Sequence, residues 1–255
     1  NCASVALIFW AQRMLNIDFD GRYADVLERA LYNGALSGLS RDGTHYFYEN
    51  PLASDGSHRR WAWHTCPCCT MNVSRLVASV GGYFYSTGAD VLAVHLYGGS
   101  TARVSVGGRR VTVTERSSYP WSGAVALTIE PEEPATFTVA VRIPGWVRGA
   151  TAQVNGEAID VAAHTRRGYL ELRRTWQPGE RIALDLPMRV ERIYANPRVD
   201  MDAGRVALQR GPLLGLRVEQ PASLGDGAAQ ARLLLPVARP ASLAGAEAGD
   251  LRGLA

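Results

Sequence analysis

The sequence predicts an α+β chain of more than one domain, with a helical N-terminal part followed by a longer part of antiparallel β-structure. Before about residue 86, apolar residues recur with the 3.6-residue period of amphipathic helices. After it, apolar and polar residues alternate in short runs that end at glycine, proline, asparagine or serine. Regularly spaced short strands of this kind are typical of a β-sandwich.

Three helices are predicted in the first part. The first starts at the beginning of the chain and ends around "NIDFDG", the second covers "RYADVLERALYNGALSGL", and the third covers "MNVSRLVASVGGYFY". A loop of more than 20 residues, rich in aromatic side chains, separates the second helix from the third. Loops of that length in compact domains are usually functional or disordered, and the aromatic residues argue against disorder.

Eight strands are predicted in the second part, and a further β-rich unit is predicted near "MRVERIYANPRVDMDAGRVALQRGPLL". We therefore predict three domains, over residues 1–86, 87–189 and 190–255, with the last one rich in alanine and glycine towards its end. The predicted strands are "VLAVHLY", "TARVSV", "RRVTVTE", "AVALTIE", "TFTVAVRIP", "AQVNG", "GYLELRR" and "RIALDLP".

Charge and hydropathy argue against two classes of partner. The net charge of +3 is small and evenly spread, so we expect no nucleic-acid binding. No apolar run approaches the roughly 20 residues that span a bilayer, so we expect no membrane insertion. The chain shows no secretory signal and opens inside a helical pattern, which we interpret as a start within an element.

The stretch "HTCPCCTMNVSR" holds three of the four cysteines of the chain, immediately before a predicted helix. A disulfide between adjacent Cys68 and Cys69 would be strained. A redox pair is a second interpretation, because Cys66 and Cys69 form a C-x-x-C at a helix start, although that motif normally lies in a βαβ unit. Metal binding is the interpretation we favour, since thiolates are good zinc ligands and Cys2 could supply another. Inert thiols remain a fourth interpretation, with Cys2 as a small buried hydrophobe.

Six stretches together resemble glycoside hydrolase family 127, the β-L-arabinofuranosidases and their close relatives. They run from residue 1 to about 215, and their order and spacing are far more specific than any one motif. The resemblance implies that residues 1–86 are the end of an (α/α)6-barrel catalytic domain, followed by antiparallel β-sandwich domains. The stretches are "CASVALIFW", "YADVLERALYNGALSGLSRDGTHYFYENPL", "CPCCTMNVSRLVASVGGYFYS", "VRIPGW", "VNG" and "ANPRVDMDAGRVALQRGPL".

The resemblance also implies a retaining glycosidase that releases L-arabinofuranose from β-L-arabinofuranosides in oligosaccharides or glycoconjugates, with Zn²⁺ as its cofactor. By position, Cys68 would be the nucleophile and a zinc ligand, and Cys69 and Cys2 would be further ligands. The fourth ligand of the family, a glutamate two residues before the first cysteine, would fall immediately before Asn1, and the acid/base glutamate lies further upstream. We therefore expect the 255 residues alone to be inactive.

Two further positions match residues that hydrogen-bond the sugar in the family, Glu28 and Tyr48. Without the resemblance, Glu28 would be interpreted as a solvated helix glutamate and Tyr48 as a loop aromatic. The chain departs from the family at Thr70 and Met71, where members usually have two prolines, and this departure leaves the thiolates in place.

Two other functions remain open from the sequence. One is a related glycosidase that acts on another unusual pentose linkage. The other is a non-catalytic zinc or redox site, with the β-sandwich as a sugar-binding module. Reduced cysteines favour a cytoplasmic location. A homodimer is compatible with the sequence, which does not itself specify an oligomeric state.

Overall fold

Three main helices form the N-terminal part of the chain. The structure, a computed structural model, describes residues 1–50 and 57–215 and one further strand at Val218–Glu219. The α-helices are α1 Cys2–Ile17, α2 Gly21–Ala30, α3 Cys68–Val80 and the short α4 Val161–His164; a π-helical turn at Leu31–Ala35 and a 3-10 turn at Leu36–Gly38 extend α2.

Local sequence explains where α2 begins. The side chain of Asp20 accepts a hydrogen bond from the backbone N–H of Arg22, as an N-cap residue does. At the next position, Gly21 donates its N–H to the carbonyl of Arg167 at 2.7 Å. A Cβ atom at Gly21 would lie 3.1 Å from the Cα of Gly168, so glycine lets the helix start pack directly against the hairpin of residues 165–170.

The helices pack around a shared apolar cluster. Val5 and Ile8 of α1, Leu27 of α2 and Leu76 of α3 are all at most 4% exposed and belong to it. The buried face of α1 is narrower than its run of apolar residues predicts, because the side chain of Trp10 is half exposed. The three predicted helices are confirmed, whereas their membership of an (α/α)6 barrel stays a prediction.

All eight predicted strands are present, and the described residues form seven further strands. The bounds are β1 Tyr85–Thr87, β2 Val91–Val94, β3 Ser100–Val106, β4 Arg109–Ser117, β5 Ala124–Pro131, β6 Ala135–Arg142, β7 Thr151–Val154, β8 Glu157–Ile159, β9 Thr165–Arg166, β10 Tyr169–Trp176, β11 Glu180–Asp185, β12 Val190–Tyr194, β13 Arg205–Arg210, β14 Leu213–Leu214 and β15 Val218–Glu219.

Two sheets face each other as a sandwich. One has the order β1-β2-β6-β10-β9 and the other the order β3-β4-β5-β11-β7-β8. Alternating residues of both sheets fill the space between them, with Phe137, Ile129 and Trp176 among the fully buried side chains. One pairing differs from the prediction of an antiparallel sandwich: β2 runs parallel to β6, with Val91 opposite Thr138 and Val94 opposite Val141. Every other strand pair in the described part of the chain is antiparallel.

A third, small sheet follows the sandwich. It has the order β12-β13-β14, and β15 pairs with the other end of β13. The side chain of Asn33 ties this sheet to the helices, because its Nδ2 donates to the carbonyl of Pro212 and its Oδ1 accepts from the N–H of Leu214, both at 2.8 Å. Strands therefore lie where the sequence predicts a further β-rich unit, while the bounds of a third domain over residues 190–255 stay a prediction, and the alanine- and glycine-rich tail lies outside the described residues. Among the described residues, no helix is long and apolar enough to cross a membrane.

Glu115 gives the sandwich a testable pH dependence. Its side chain is 2% exposed, and burial raises the pKa of its carboxyl to about 7, even though Oε1 accepts hydrogen bonds from Gly98 N–H and Ser117 Oγ. The folded protein therefore binds more protons than the unfolded chain between about pH 4.3 and pH 7, so this group lowers stability as the pH rises through that window.

We expect Glu115→Gln to remove this loss, because a neutral amide carries no buried charge. The free energy of unfolding of the variant minus that of the parent should rise by up to about 3 kcal/mol from pH 4 to pH 8. Urea unfolding at both pH values measures it. Exposed Glu157 provides the matched control, since Glu157→Gln should change the free energy of unfolding by the same amount at pH 4 and at pH 8. A pH-independent difference for Glu115→Gln would contradict the prediction.

Candidate metal and active site

The cysteine group forms where the starts of two helices meet. Cys2 is the first residue of α1, and Cys68 and Cys69 are the first two residues of α3. The sequence predicts that α3 starts three residues later, at Met71, whereas the structure places both cysteines inside the first helical turn. Pro67 occupies the position before the helix, where its missing N–H costs nothing. The free N–H groups of a first turn favour negative charge, such as the charge of a thiolate.

Three sulfur atoms lie within ligand distance of a common centre. The Sγ atoms of Cys2 and Cys68 are 3.2 Å apart, those of Cys2 and Cys69 are 3.4 Å apart, and those of Cys68 and Cys69 are 3.9 Å apart. All four cysteines are free thiols, so the structure contains none of the disulfides considered from the sequence. Cys2 thus meets Cys68 and Cys69 at one point, although they lie 66 and 67 positions away from it in the chain.

The aromatic loop packs beside this cysteine group. The ring of Tyr48 stacks on His64 at 4.2 Å, and the carbonyl of Tyr48 accepts a hydrogen bond from the Asn1 nitrogen at 2.9 Å. His64 Nδ1 accepts from the backbone N–H of Cys66 at 3.1 Å, which fixes the "CPCC" turn. Residues 51–56 of the loop lie outside the described residues, but the backbone pairing of Tyr46 with Trp61 closes its base.

Hydrogen bonding among the thiols separates their pKa values. Hydrogen bonds with Cys2 and Cys66 raise the pKa of the Cys68 thiol to about 12. Burial would raise the pKa of Cys2, but hydrogen bonds with Cys68, Asn72 and Cys69 hold it below its ordinary value. A hydrogen bond with Cys66 raises the pKa of the Tyr48 phenol to about 12, so Tyr48 is a neutral donor at pH 7. By itself, the protein thus ionises Cys2 before Cys68.

The donor set fits a zinc ion. A tetrahedral site with Zn–S distances of about 2.3 Å requires sulfur–sulfur separations of about 3.8 Å. The observed separations of 3.2–3.9 Å approach that value without any large movement. Thiolates are ligands that zinc prefers, and a cation would offset the mutual repulsion of three sulfur anions. Both amide atoms of Asn1, the residue before Cys2, are buried beside Gly38 and have no hydrogen-bond partner in the described part of the chain.

Glu28 lies apart from the cysteine group. It is 1% exposed, and its Oε1 accepts hydrogen bonds from Arg142 Nη2 and from the Tyr119 hydroxyl, both at 2.5 Å. Its Oε2 accepts from Trp146 Nε1 at 3.2 Å. All three partners belong to the sandwich. The structure therefore brings Cys2, Cys68, Cys69 and Tyr48 together but not Glu28, whose contact with a sugar stays a prediction.

Arg142 is the centre of this second polar cluster. Its side chain is fully buried, and it also donates from Nη1 to Asp25 Oδ1 at 2.7 Å and from Nε to the carbonyl of His95 at 2.5 Å. Burial would lower the pKa of Arg142, but the carboxylates of Glu28 and Asp25 keep it well above its ordinary value. The cluster joins α2 to the sandwich through a charge pair enclosed in protein.

Sequence reasoning missed Asn72 and Arg142. Asn72 donates from Nδ2 to Cys2 Sγ at 3.3 Å, and its position four residues after Cys68 on one helix face is a signal that could have identified it. Arg142 lies at the end of an apolar strand, and local sequence carries no signal for a partner more than 100 residues away.

Comparison with known proteins identifies both parts of the chain. Residues 1–82 match the profile of the β-L-arabinofuranosidase GH127 catalytic domain, and residues 91–188 match that of the GH127 middle domain. A curated relative, the non-reducing end β-L-arabinofuranosidase of Bifidobacterium longum subsp. longum, is 39% identical over 243 residues, which cover 88% of this chain and 36% of the relative.

Solved structures agree with this assignment. A GH127 β-L-arabinofuranosidase from Geobacillus stearothermophilus T6 is 47% identical with a TM-score of 0.79, covering 84% of this chain and 35% of that one. A second GH127 β-arabinofuranosidase is 36% identical with a TM-score of 0.80, covering 84% and 36%. The chain thus spans about a third of the length of these relatives. Both domain profiles, the sequence identity and the shared fold lead to one assignment: the chain belongs to glycoside hydrolase family 127.

Proposed function

We propose that this chain carries the nucleophile and three zinc ligands of a retaining glycosidase that releases L-arabinofuranose from β-L-arabinofuranosides. The observation that carries the proposal is the convergence of the Cys2, Cys68 and Cys69 sulfur atoms from two separate helix starts. The names of the relatives support the substrate class. Because the chain spans about a third of their length, the activity is proposed for the intact protein.

Each residue of the site has a defined task in this proposal. The sulfur of Cys68 attacks the anomeric carbon while the bond from that carbon to the glycosidic oxygen breaks, and the leaving alcohol takes its proton from the acid/base glutamate expected upstream of Asn1. Water then hydrolyses the carbon–sulfur bond of the glycosyl–enzyme, which releases arabinose and restores Cys68. A bound zinc ion would keep Cys68 ionised at neutral pH. Asn72 donates a hydrogen bond to Cys2 and thereby orients that ligand. Tyr48, a neutral phenol beside Cys66 and Cys68, can donate a hydrogen bond to a sugar oxygen.

A second candidate function is a non-catalytic thiol site with redox chemistry. The exposed thiol of Cys66 lies 3.5 Å from the sulfur of Cys68, and this contact favours disulfide exchange. A redox pair should titrate reversibly between dithiol and disulfide, whereas a zinc site should stay reduced and lose its metal to a chelator. A glycosidase for another pentose linkage would share the zinc site and differ only in the sugar released.

Metal content tests the proposal directly. We expect about one zinc ion per chain in protein purified under reducing conditions, as in other thiolate sites. Cys69→Ser should weaken zinc binding by about 100-fold or more, because only two of the three thiolates remain. Zinc affinity would be measured by competition with a chromophoric chelator.

Cys66 provides the matched control, since it is exposed and lies outside the group of three sulfur atoms. Cys66→Ser should retain the parental zinc affinity. Equal losses in the two variants, or protein that binds no zinc when reduced, would contradict the proposed metal site.

A further inference from the structure

A cavity of about 330 Å³ lies where α2, the loop after β6 and the third sheet meet. None of Cys2, Cys68, Cys69 and Tyr48 lines it, so it is separate from the cysteine group; Glu28, the other position that matches a sugar-contacting residue of the family, does line it. Its volume falls within the range of pockets that hold small ligands. The lining residues that could contact a ligand through polar or aromatic groups include Trp146, Arg29, Arg148, Glu191 and Gln209.

The floor of the cavity is rigid. Gly145 donates its N–H to both oxygens of Asp25 at 3.1 Å, and a Cβ atom at Gly145 would lie 2.5 Å from Asp25 Oδ2. The next residue, Trp146, is held at its indole nitrogen by Glu28 Oε2. Because Asp25 and Glu28 both pair with the buried Arg142, the indole of Trp146, which lines the cavity, is anchored to a charge cluster.

The remaining polar groups of the cavity have unused hydrogen-bonding capacity. In the described part of the chain, the side chains of Arg29 and Glu191 form no ion pair within 4.0 Å. Arg148 uses only Nη1, which donates to two backbone carbonyls, and Gln209 uses only its Nε2. Separate donors and acceptors therefore face the same space.

The charges that line the cavity are balanced. Asp25, Glu28 and Glu191 contribute three negative charges, while Arg29 and Arg148, together with the buried Arg142 behind them, contribute three positive ones. A charged ligand would meet both signs, whereas a neutral polyol can accept from the guanidinium groups and donate to the carboxylate. The flat indole face suits the apolar face of a sugar ring.

We propose that this cavity is a second carbohydrate-binding site, distinct from the cysteine site, which takes one or two neutral sugar units. The choice of an arabinofuranose unit as the ligand rests on the proposed function, because the cavity chemistry itself specifies only a neutral sugar. In this site Trp146 stacks on the sugar ring, Arg148 donates to hydroxyl oxygens and Glu191 accepts from hydroxyl groups.

The test is a titration of the full chain with methyl β-L-arabinofuranoside and with L-arabinose, followed by the indole N–H resonance of Trp146. Trp146→Phe assigns that resonance. We expect a saturable shift in the parent and in Cys68→Ser alike, because the cavity and the cysteine group share no residue. Arg148→Ala and Glu191→Gln should each weaken the apparent affinity by about 10-fold, the effect of losing one charge-assisted hydrogen bond.

Arg103 on β3 is the matched control, since it is an exposed arginine far along the sandwich, and Arg103→Ala should leave the affinity unchanged. A Trp146 resonance that does not move at any sugar concentration would overturn the inference. Sugar binding that disappears in Cys68→Ser but survives Arg148→Ala and Glu191→Gln would also overturn it and would locate binding at the cysteine site. Saturable Trp146 shifts in a protein that binds no zinc would uphold the second site and contradict the proposed function.

Discussion

Arg142→Met is expected to lower the free energy of unfolding by about 3–5 kcal/mol. The substitution removes the cation that Asp25 and Glu28 share, and Glu28, at 1% exposure, would remain as an uncompensated charge inside the protein. Leaving a buried charge without its partner costs far more than the pair itself contributes. Urea unfolding followed by tryptophan fluorescence measures the change.

Two comparisons separate this effect from the loss of an ordinary ion pair. Arg173 pairs with Asp90 at 2.7 Å on the surface, where both side chains are more than half exposed, so Arg173→Met should cost at most about 1 kcal/mol. Adding Asp25→Asn and Glu28→Gln to Arg142→Met should recover much of the lost stability, because the buried charge of Glu28 and the partly exposed charge of Asp25 are then both removed. A triple variant no more stable than Arg142→Met alone would show that packing of the arginine, not its charge, is what matters.

Cys68→Ser is expected to reduce arabinofuranoside hydrolysis by the intact protein at least about 1,000-fold, since a serine hydroxyl is not ionised where a thiolate would be. The loss should appear in kcat, because the substitution removes the attacking atom and leaves the sugar contacts unchanged. Steady-state kinetics on an aryl β-L-arabinofuranoside, with zinc supplied in excess, measures it.

Cys66→Ser is the control for this measurement, because Cys66 contacts Cys68 at 3.5 Å yet lies outside the group of three sulfur atoms. It should keep activity within a few-fold of the parent. Near-parental activity of Cys68→Ser would exclude Cys68 as the nucleophile, and a loss in Cys66→Ser of the same size would indicate disruption of the loop.

The periodicity of apolar residues, together with the glycine, proline, asparagine and serine residues that end each run, predicts most elements of this fold. The eight strands and three helices follow from local alternation of apolar and polar residues, which burial on one face imposes. The parallel pairing of β2 with β6 was not predicted, because neither strand carries a sequence signal for its partner or its direction. The sequence predicts the start of α3 three residues late, at Met71 instead of Cys68, since element ends are set by capping and tertiary contacts.

The cysteine site was largely predictable and the Arg142 cluster was not. Three cysteines crowded before a helix point to shared chemistry. The residues alone leave Cys2 as either a further ligand or a small buried hydrophobe, and the family resemblance favours the ligand. Glu28 is on an amphipathic helix with arginines nearby in sequence, yet its partners are Arg142, Tyr119 and Trp146, all more than 90 positions away. Burial of a glutamate against a distant arginine is a property of the folded chain alone.

The apolar cluster beneath α1 and α2 has a consequence for how this protein folds. Leu15 and Ala24 from the helices and Ala93, Ala140 and Tyr169 from the sandwich form a single buried group. The helices and the sandwich also have apolar clusters of their own, but this shared group is buried only when the two parts pack together. We therefore expect the two parts to unfold in one transition. The change of periodicity near residue 86 marks a change in composition, and buried apolar contacts continue across it.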